Sequence, residues 1–355
     1  MIQNITVIGA GSTGHYAAGL MSMRGFKVTL CDNESFVNEL NAVVEKGGIL
    51  LRGNMHGFGT PAKVTTNIAE AIPGAELIMV HVPADRHEEI ARWIAPHLED
   101  GQHIMIFPGN LGSFIFRKVF NEMGVTAKVT LTEKEGNLGP CRLSEPAEVT
   151  VGMKFAIKGK IASLPASDTE KVIAALEGVF EYSANKNVFE GVINAGNVIN
   201  HVASTVLASC EIDRKGKKFS LFQYAFTPAT VRCIEKIRTE RKAVIEAMGM
   251  TERPNPTGMC QKAQNPENYP ESRVFLTYMD GPWALDHRYL HEDCGCGAAF
   301  AISCGKRFGL KLPTLEAFLG VAGAINDRDY INGGRTLENL GFPEGMTMEE
   351  IYAQI

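Results

Sequence analysis

The sequence lacks the excess of positive charge and the long apolar runs that mark nucleic-acid-binding and membrane proteins. Its 35 Lys and Arg residues are outnumbered by 40 Asp and Glu residues, for a formal net charge of −5. The one dense basic run, residues 214–218, is interpreted as a solvated turn, so no nucleic-acid partner is expected. The uncharged stretch 191–210 has the length of a membrane span, but it contains three asparagines, a histidine and several hydroxyl groups. No membrane partner is expected either.

A secretory leader and paired cysteine motifs are also missing. The chain opens on a strand-like segment, with no basic region and apolar core ahead of it, so no export signal is expected. The eight cysteines are scattered among segments that have the pattern of a protein core. In a chain of this length they indicate reduced thiols and a cytoplasmic location.

The length and composition predict a globular protein of two domains. A chain of 355 residues exceeds the roughly 250 to 300 residues at which a single core stops growing. Hydrophobic residues make up 45% and charged residues 21% of the sequence, which is typical of a globular protein. We place the domain boundary near residue 185, which gives a first domain over residues 1–185 and a mainly α-helical second domain over residues 186–355.

A glycine-rich segment follows the first predicted strand, residues 5–8, and opens a helix-compatible stretch, residues 15–24. This G-x-G-x-x-G spacing between strand and helix is the fingerprint of dinucleotide binding. Gly9 would make the tight turn, Gly11 would let the backbone approach a pyrophosphate, and Gly14 would let helix and strand pack closely. The helix N-terminus would face the phosphates. The predicted cofactor-binding residues here are Gly9, Ala10, Gly11, Ser12, Thr13 and Gly14.

The second predicted strand, Lys27–Cys31, ends at an acidic residue. Asp32 lies near the offset of about 20 residues expected of the acid that binds the ribose diol. Because a carboxylate there repels a 2′-phosphate, we expect NAD(H) to be preferred, with NADP as the open alternative. A glycine turn in an unrelated α/β protein is the competing interpretation of the whole segment.

Two further apolar runs, residues 77–82 and 103–107, have the length of buried parallel strands. With a helix predicted over residues 85–98 between them, they indicate a doubly wound Rossmann-type sheet. Strand segments are also predicted within residues 148–161. Ligands bind at the carboxyl ends of such strands, so three more residues are predicted to line the cofactor crevice. They are Val82, Pro83 and Pro108.

The uncharged stretch 191–210 is predicted to be a buried helix in the second domain. Asn194, Asn197, His201 and Ser204 are spaced by three or four residues and would share one face of it. A polar stripe without charge on a buried helix indicates a wall of an internal cleft. A core histidine bonded to a nearby carbonyl explains His201 equally well at this stage. The proline-rich stretch 254–270 is expected to be irregular.

Residues 286–297 form the densest polar cluster of the chain, with histidines, an arginine, carboxylates and two cysteines. His291, Cys294 and Cys296, together with Cys304, invite interpretation as a metal site. The spacing contains one Cys-x-Cys and no second paired motif, unlike a structural zinc site. We therefore predict no metal.

Taken together, these segments resemble the octopine/nopaline (opine) dehydrogenase family. The resemblance rests on the order and spacing of Gly196-Asn-Val-Ile-Asn-His201, of residues 226–228 followed by Glu240-Arg241, of His-Arg-Tyr-x-x-Glu-Asp ending at Asp293, and of residues 334–341. One departure is that Cys294-Gly-Cys-Gly297 stands where the family usually has a branched residue and a proline.

The resemblance implies a helical second domain like the C-terminal domain of 6-phosphogluconate dehydrogenase, and a specific chemistry. His201 and Asp293 would form a proton-relay dyad, Arg288 would lie beside the substrate, and Asn197 and Asn200 would help to bind it. The implied reaction condenses a 2-oxo acid, often pyruvate, with the amino group of an amino acid and reduces the imine. Histidine suits the proton transfer, and arginine suits a substrate carboxylate. The chain is also compatible with a homodimer.

Two other functions compete with this one. A reductase of simple 2-oxo or 3-oxo acids on a similar two-domain plan would need no amine. An NAD(H)-binding sensor without turnover would need no acid–base dyad, which the combination of His201 with the 288–293 cluster argues against.

Overall fold

The computed structural model describes residues 1–153 and 158–355. These residues separate into two compact units, Met1–Gly191 and Val192–Ile355. The division falls at residue 191, a few residues after the boundary at 185 expected from the sequence.

The strands lie in the first unit. In chain order, β1 to β12 are Asn4–Ile8, Lys27–Cys31, Ile49–Gly53, Gly57–Gly59, Lys63–Thr65, Leu77–Val80, His103–Ile106, Thr130–Lys134, Cys141–Glu145, Glu148–Val151, Lys158–Ser163 and Glu181–Ala184. Of the stretch 148–161, in which strands were predicted, residues 154–157 lie outside the described residues.

The α-helices occur in both units. In chain order, α1 to α18 are Ser12–Met23, Val37–Lys46, Ile68–Ala71, His87–Ile94, Gly112–Glu122, Thr169–Ala175, Val188–Ile193, Gly196–Leu207, Ser209–Lys215, Leu221–Tyr224, Pro228–Ala247, Gly258–Gln264, Arg273–Tyr278, Arg288–Glu292, Ala299–Arg307, Pro313–Asn326, Tyr330–Gly333 and Met348–Tyr352. A π-helical segment, Asp293–Ala298, joins α14 to α15.

Of the described strands, eight form one sheet in the order β12-β11-β8-β7-β6-β1-β2-β5. Neighbouring strands from β8 to β5 are parallel, and β11 pairs antiparallel with β8. Strands β2 and β5 lie on one side of β1, whereas β6, β7 and β8 follow on the other. The reversal between β1 and β6 is the switch point of a doubly wound sheet, which confirms the predicted N-terminal Rossmann-type domain.

Apolar residues cover both faces of this sheet. Val7 and Met79 belong to one core cluster, whereas the next residue of each strand, Ile8 and Val80, belongs to the other. All four are at 0% exposure. Burial on both faces explains why these parallel strands are continuously apolar in sequence.

A smaller sheet in the order β4-β3-β10-β9 packs beside the first helix of the same unit. A Cβ on Gly59 of β4 would lie 2.0 Å from the carbonyl oxygen of Gly19 in α1. Glycine at position 59 therefore permits a backbone-to-backbone approach that fixes this sheet against α1.

The second unit is helical over its described residues, which confirms the predicted fold class. The buried helix α8 contacts α11, α14, α16 and the π-helical segment. Thr227 begins α11 as its N-cap, accepting the Thr230 N–H at 3.3 Å, and Pro228 occupies the first turn. Local capping residues thus set where this long helix begins.

The single helix expected over residues 191–210 is wrong in its bounds. The structure has α7, α8 and α9 there, with an interruption at Asn194 and Ala195. The Asn194 amide donates to the Thr251 carbonyl at 3.1 Å and accepts the Arg253 N–H at 2.9 Å. These tertiary hydrogen bonds end α7 and start a new helix. Within the described residues, no helix is long and apolar enough to cross a membrane.

The stretch 254–270 is also more regular than expected. It contains α12, Gly258–Gln264, followed by a short 3₁₀ turn, Pro266–Asn268. Prolines flank α12 but do not enter it, so the backbone donors of the helix stay intact.

Candidate active site

The glycine-rich segment forms the turn between β1 and α1. Gly9 has a φ of +114°, and its N–H donates to the Cys31 carbonyl at 2.9 Å. A Cβ on Gly14 would lie 1.7 Å from the Gly9 carbonyl oxygen, so a side chain there is excluded by backbone. A Cβ on Gly11 would meet no described atom within 4 Å. Gly11 is therefore the point at which the turn is open to a ligand.

Asp32 lies directly under this turn. Its Oδ2 accepts the Ala10 N–H at 2.7 Å, and its Oδ1 accepts the Asn33 N–H at 2.8 Å. The side chain is 1% exposed. The carboxylate is thus held at the carboxyl end of β2 by backbone donors from both sides.

The remaining first-unit residues of the predicted site occupy the neighbouring strand ends. Val82 and Pro83 follow β6 and Pro108 follows β7, an adjacent parallel strand. A Cβ on Gly9 would lie 3.3 Å from Cγ1 of Val82, so the turn and the end of β6 are in contact. These residues therefore share the edge of the sheet on which ligands bind in doubly wound folds.

Ser12 and Thr13, the first two residues of α1, differ in their contacts. Ser12 Oγ accepts the Leu143 N–H at 2.9 Å, so this hydroxyl connects α1 to β9. Thr13 is half-buried on the first turn of the helix.

In the second unit, the structure brings His201 and Asp293 together. The Nδ1 atom of His201 lies 2.8 Å from Oδ2 of Asp293, and both residues are 6% exposed. A carboxylate only accepts, so Nδ1 carries the proton and donates it to Asp293. This leaves Nε2 as the ring nitrogen able to exchange a proton with a ligand.

Aromatic rings fix the imidazole from two directions. Tyr289 stacks on it with ring centroids 3.8 Å apart and an interplanar angle of 15°. Phe222 approaches edge-on at 6.3 Å. Stacking covers a face of the ring and leaves its edge, which bears the nitrogens, available for hydrogen bonding.

The π-helical segment positions Asp293. A Cβ on Gly297 would lie 2.3 Å from Cγ2 of Val198 in α8, so glycine at 297 lets the segment pack closely on the helix that carries His201. The Gly295 carbonyl accepts the Arg335 N–H at 2.7 Å. The Cys-Gly-Cys-Gly departure from the family pattern thus forms a widened turn whose glycines permit close packing.

Arg288 begins α14 and is paired with the residue before Asp293. Its Nε donates to Oε2 of Glu292 at 2.8 Å. Although burial alone would lower the pKa of the Arg288 guanidinium, the carboxylates of Glu292 and Asp293 raise it. Burial raises the pKa of Glu292, against the lowering effect of Arg288. The consecutive carboxylates of Glu292 and Asp293 therefore orient two different side chains. Glu292 orients Arg288, and Asp293 orients His201.

The asparagines and the serine of α8 do not form one uniform polar wall. Asn200 donates from Nδ2 to the Gly196 carbonyl at 2.9 Å and accepts from the Cys260 thiol at 3.6 Å. The Ser204 hydroxyl donates to backbone carbonyls of its own helix. Asn197 is half-buried at the start of α8. Of the expected stripe, His201 is the residue that reaches a carboxylate.

Glu240 and Arg241 belong to the segments that resemble the family but lie outside the polar cluster. Both make contacts that support the fold. Glu240 accepts the N–H groups of Thr314 and Leu315 at about 3.0 Å and so caps α16. The neighbouring Arg241 donates to the Ala195 carbonyl at 2.6 Å, at the interruption before α8.

His291, one of the residues considered for a metal site, has other partners. His291 lies 2.5 Å from the Tyr330 hydroxyl through Nδ1 and bonds Asp286 through Nε2. None of the eight cysteines forms a disulfide in the described structure. In the part of the chain that the structure describes, no group of three His, Cys, Asp or Glu side chains is arranged to hold a metal ion.

Four contact residues had no role assigned from the sequence. Tyr289 and Glu292 lie within the quoted cluster, and the spacing of Arg288 and Glu292 by four residues is itself a signal for a helical ion pair. Arg86 contacts Asp32, and Glu89 contacts Arg86, but Arg86 is 54 positions from Asp32 in sequence, so no local pattern connects them.

Fold and site together define an oxidoreductase with a Rossmann-type sheet and a helical second domain. A sequence model described as NAD/NADP octopine/nopaline dehydrogenase, alpha-helical domain, matches residues 184–326, and one of ketopantoate reductase PanE/ApbA matches residues 5–113. The opine dehydrogenase of Arthrobacter sp. (strain 1C) is 30% identical over 374 residues, covering 100% of both chains. The chain therefore belongs to the opine dehydrogenase family and is an opine-type dehydrogenase.

Solved structures of octopine dehydrogenase share the fold. The structure with NADH and L-arginine has a TM-score of 0.71, and the one with NADH and pyruvate 0.70, each at 18% sequence identity. Both matches cover 98% of this chain and 97% of the other.

Proposed function

We propose that this protein catalyses the NADH-dependent reductive condensation of a 2-oxo acid with the amino group of an amino acid. The product is an N-(carboxyalkyl) amino acid, and the reaction is reversible. The observation that carries the proposal is the 2.8 Å hydrogen bond between His201 and Asp293 in a chain of the opine dehydrogenase family. Pyruvate is the first oxo acid to test, because octopine dehydrogenase was solved with it.

The first unit fits a dinucleotide. The open approach at Gly11, the start of α1 and the carboxylate of Asp32 match the requirements for a pyrophosphate and a ribose diol. When bound, NADH supplies the hydride that reduces the imine. Asp32 would select NADH over NADPH by accepting from the free ribose hydroxyls.

The dyad would move the protons. His201 Nε2 accepts a proton from the substrate ammonium, which makes the amine nucleophilic toward the carbonyl carbon of the oxo acid. It then returns the proton to the hydroxyl group that leaves as water when the imine forms. Asp293 holds the tautomer and stabilises the imidazolium between these two steps.

Arg288 would hold a substrate carboxylate. Its Nε is bound to Glu292, which leaves the end of the guanidinium, with Nη1 and Nη2, to bind a carboxylate in bidentate fashion. Glu292 is a positioning residue in this scheme, since it restrains the side chain that binds the substrate. Asn197, at the start of the same helix as His201, is a further candidate for a polar substrate contact.

The decisive experiment measures NADH oxidation with pyruvate in the presence and absence of a panel of amino acids, and identifies the product by mass spectrometry. We expect oxidation to require an amine and to yield the N-(1-carboxyethyl) derivative. The His201→Ala variant is the matched control for enzyme-dependent turnover.

Two outcomes would replace this proposal. Oxidation that ignores the amine would identify a reductase of simple oxo acids, a function for which the ketopantoate reductase match over residues 5–113 is the supporting observation. NADH binding without turnover across a broad panel of oxo acids and amines would identify a sensor.

A further inference from the structure

An arginine and a second acid surround the predicted ribose site. Arg86 Nη2 lies 3.3 Å from Oδ1 of Asp32. The same guanidinium donates from Nε at 3.1 Å and from Nη2 at 3.0 Å to the two oxygens of Glu89. It also lies over the Phe36 ring, 5.4 Å from the centroid. Arg86 is therefore held in one place by two carboxylates and an aromatic ring.

Glu89 is the outermost member of this group. The exposed fractions of the side chains are 1% for Asp32, 19% for Arg86 and 52% for Glu89. Besides Arg86, Glu89 accepts the Asn33 amide at 2.9 Å. It thus restrains both residues that flank Asp32, while its own side chain remains partly in solvent.

The charges of Asp32, Arg86 and Glu89 explain how this restraint affects the binding of a 2′-phosphate. Two carboxylates and one guanidinium leave a local charge of about −1, which repels the dianionic 2′-phosphate of NADPH. The hydrogen bond from Arg86 lowers the pKa of Glu89, which keeps it charged. Without the Glu89 charge, Nε of Arg86 loses its carboxylate acceptor and Nη2 keeps only Asp32, so the guanidinium can turn toward a phosphate, which its fork matches in geometry and sign.

We propose that Glu89 sets the choice of coenzyme by holding Arg86 against Asp32. With Glu89 in place the guanidinium is occupied by two carboxylates, and the site takes the 2′-hydroxyl of NADH. Without it, Arg86 binds the 2′-phosphate of NADPH. This inference rests on the proposed use of a nicotinamide dinucleotide, and it assigns discrimination to three residues rather than to Asp32 alone.

The test is a binding measurement on the full chain that needs no turnover. Adenosine 2′,5′-bisphosphate and 5′-AMP are titrated calorimetrically into the wild type, Glu89→Gln and Glu88→Gln. We expect Glu89→Gln to gain about ten- to a hundredfold in the ratio of affinities for the bisphosphate over 5′-AMP, the range of one charge-assisted hydrogen bond. Glu88 is the matched control, since it pairs with Arg92 at 2.8 Å on the same helix. Its replacement should leave the ratio unchanged.

A double variant separates release of Arg86 from simple loss of negative charge. In Glu89→Gln/Arg86→Met, the gain for the bisphosphate should disappear. A gain that persists without Arg86, an equal gain in Glu88→Gln, or a wild type that already binds both nucleotides equally would each overturn the inference. If 5′-AMP binds to none of the proteins, the adenosine site itself is absent, and the proposed cofactor use fails as well. The ratio of kcat/KM for NADPH over NADH should change in the same direction as the binding ratio.

Discussion

His201 and Asp293 are 92 positions apart in the chain, yet their side chains form a buried hydrogen bond. Besides projecting from the helix α8, the imidazole is restrained by the carboxylate at Nδ1, the stacked ring of Tyr289 and the edge-on ring of Phe222. A histidine restrained in this way loses little entropy when it transfers a proton, because its orientation is set before the substrate arrives. At the scale of the residue, the imidazole is held in one orientation before any ligand binds.

We predict that the dyad acts as a unit. His201→Ala should lower turnover by about 10²- to 10⁴-fold, and Asp293→Asn should act in the same direction by removing the charge that stabilises the imidazolium. The double variant should be little worse than the poorer single variant. Steady-state kinetics at saturating NADH measures all three effects, and NADH affinity should stay nearly constant.

Ser204→Ala is the control for these variants. Ser204 lies one turn from His201 on the same helix, and its hydroxyl donates only to backbone carbonyls of that helix in the described contacts. Its loss should leave turnover unchanged. Fully multiplicative losses in the His201/Asp293 double variant would contradict the pairing.

Residue identities and their roles were predictable from the sequence where a motif carried them. His201, Asp293 and Arg288 belong to segments that resemble a known family, and the structure places the first two within hydrogen-bond distance. Arg86 and Glu89 belong to no such motif, and their relation to Asp32 arises only because β6 and β2 lie on either side of β1 in the folded sheet. Contacts of this kind depend on tertiary packing, which local patterns do not encode.

At the scale of the element, the turn between β1 and α1 separates stability from ligand binding. Gly11 and Gly14 are three positions apart on the same fingerprint, but a Cβ at 11 meets open space whereas a Cβ at 14 meets backbone at 1.7 Å. Gly14 cannot accept a side chain unless α1 moves away from β1.

We predict that alanine at these two positions has different effects on stability. Gly11→Ala should keep the melting temperature of the wild type and weaken NADH binding, because the new methyl group occupies the approach to the pyrophosphate. Gly14→Ala should lower stability by about 1–3 kcal/mol, the usual cost of overpacking, and weaken NADH binding as a consequence. Thermal melts and NADH titrations of both variants test this. Equal melting temperatures for the two variants would show that the turn is more plastic than the packing indicates.

Elements were predictable where burial and propensity act together. The strand expected at Lys27–Cys31 has those bounds, because its residues are β-formers and pair with β1 along their full length. The break at Asn194 was not predictable, since the amide ends α7 through hydrogen bonds to residues 251 and 253. A polar residue in a long uncharged stretch indicates that it has a hydrogen-bond partner. The local sequence does not show which residue that partner is.

At the scale of the whole molecule, the doubly wound plan was predictable from the apolar runs and the helix between them, and the helical second unit from the family resemblance. The order of the strands was not predicted from the sequence and is seen in the folded sheet. Each unit has its own core, as expected for a chain longer than a single core supports. Global stability depends on groups that the proposed chemistry does not use. His81, at the end of β6, is one of these.

We predict that His81 makes the protein less stable in mild acid. Its ring stacks on Phe107 with centroids 4.6 Å apart, and burial lowers the pKa of His81 to about 3 from an ordinary value of 6.5, with Lys134 adding to the effect. The unfolded chain binds a proton as the pH falls through 6.5, whereas the folded protein does not bind it until about pH 3. Stability contributed by the neutral ring is therefore fully present above pH 6.5 and declines toward pH 3, by up to about 1.4 kcal/mol per pH unit.

His81→Phe keeps a ring against Phe107 and removes the proton uptake, so its free energy of unfolding should fall by about 2 kcal/mol less than that of the wild type between pH 7 and pH 5. Urea denaturation at the two pH values measures this difference, with His97→Phe, a half-buried site outside the sheet, as the control. Parallel pH dependence in the wild type and His81→Phe would show that the histidine is protonated in the folded state at pH 5 and that the buried ring finds a partner for its charge.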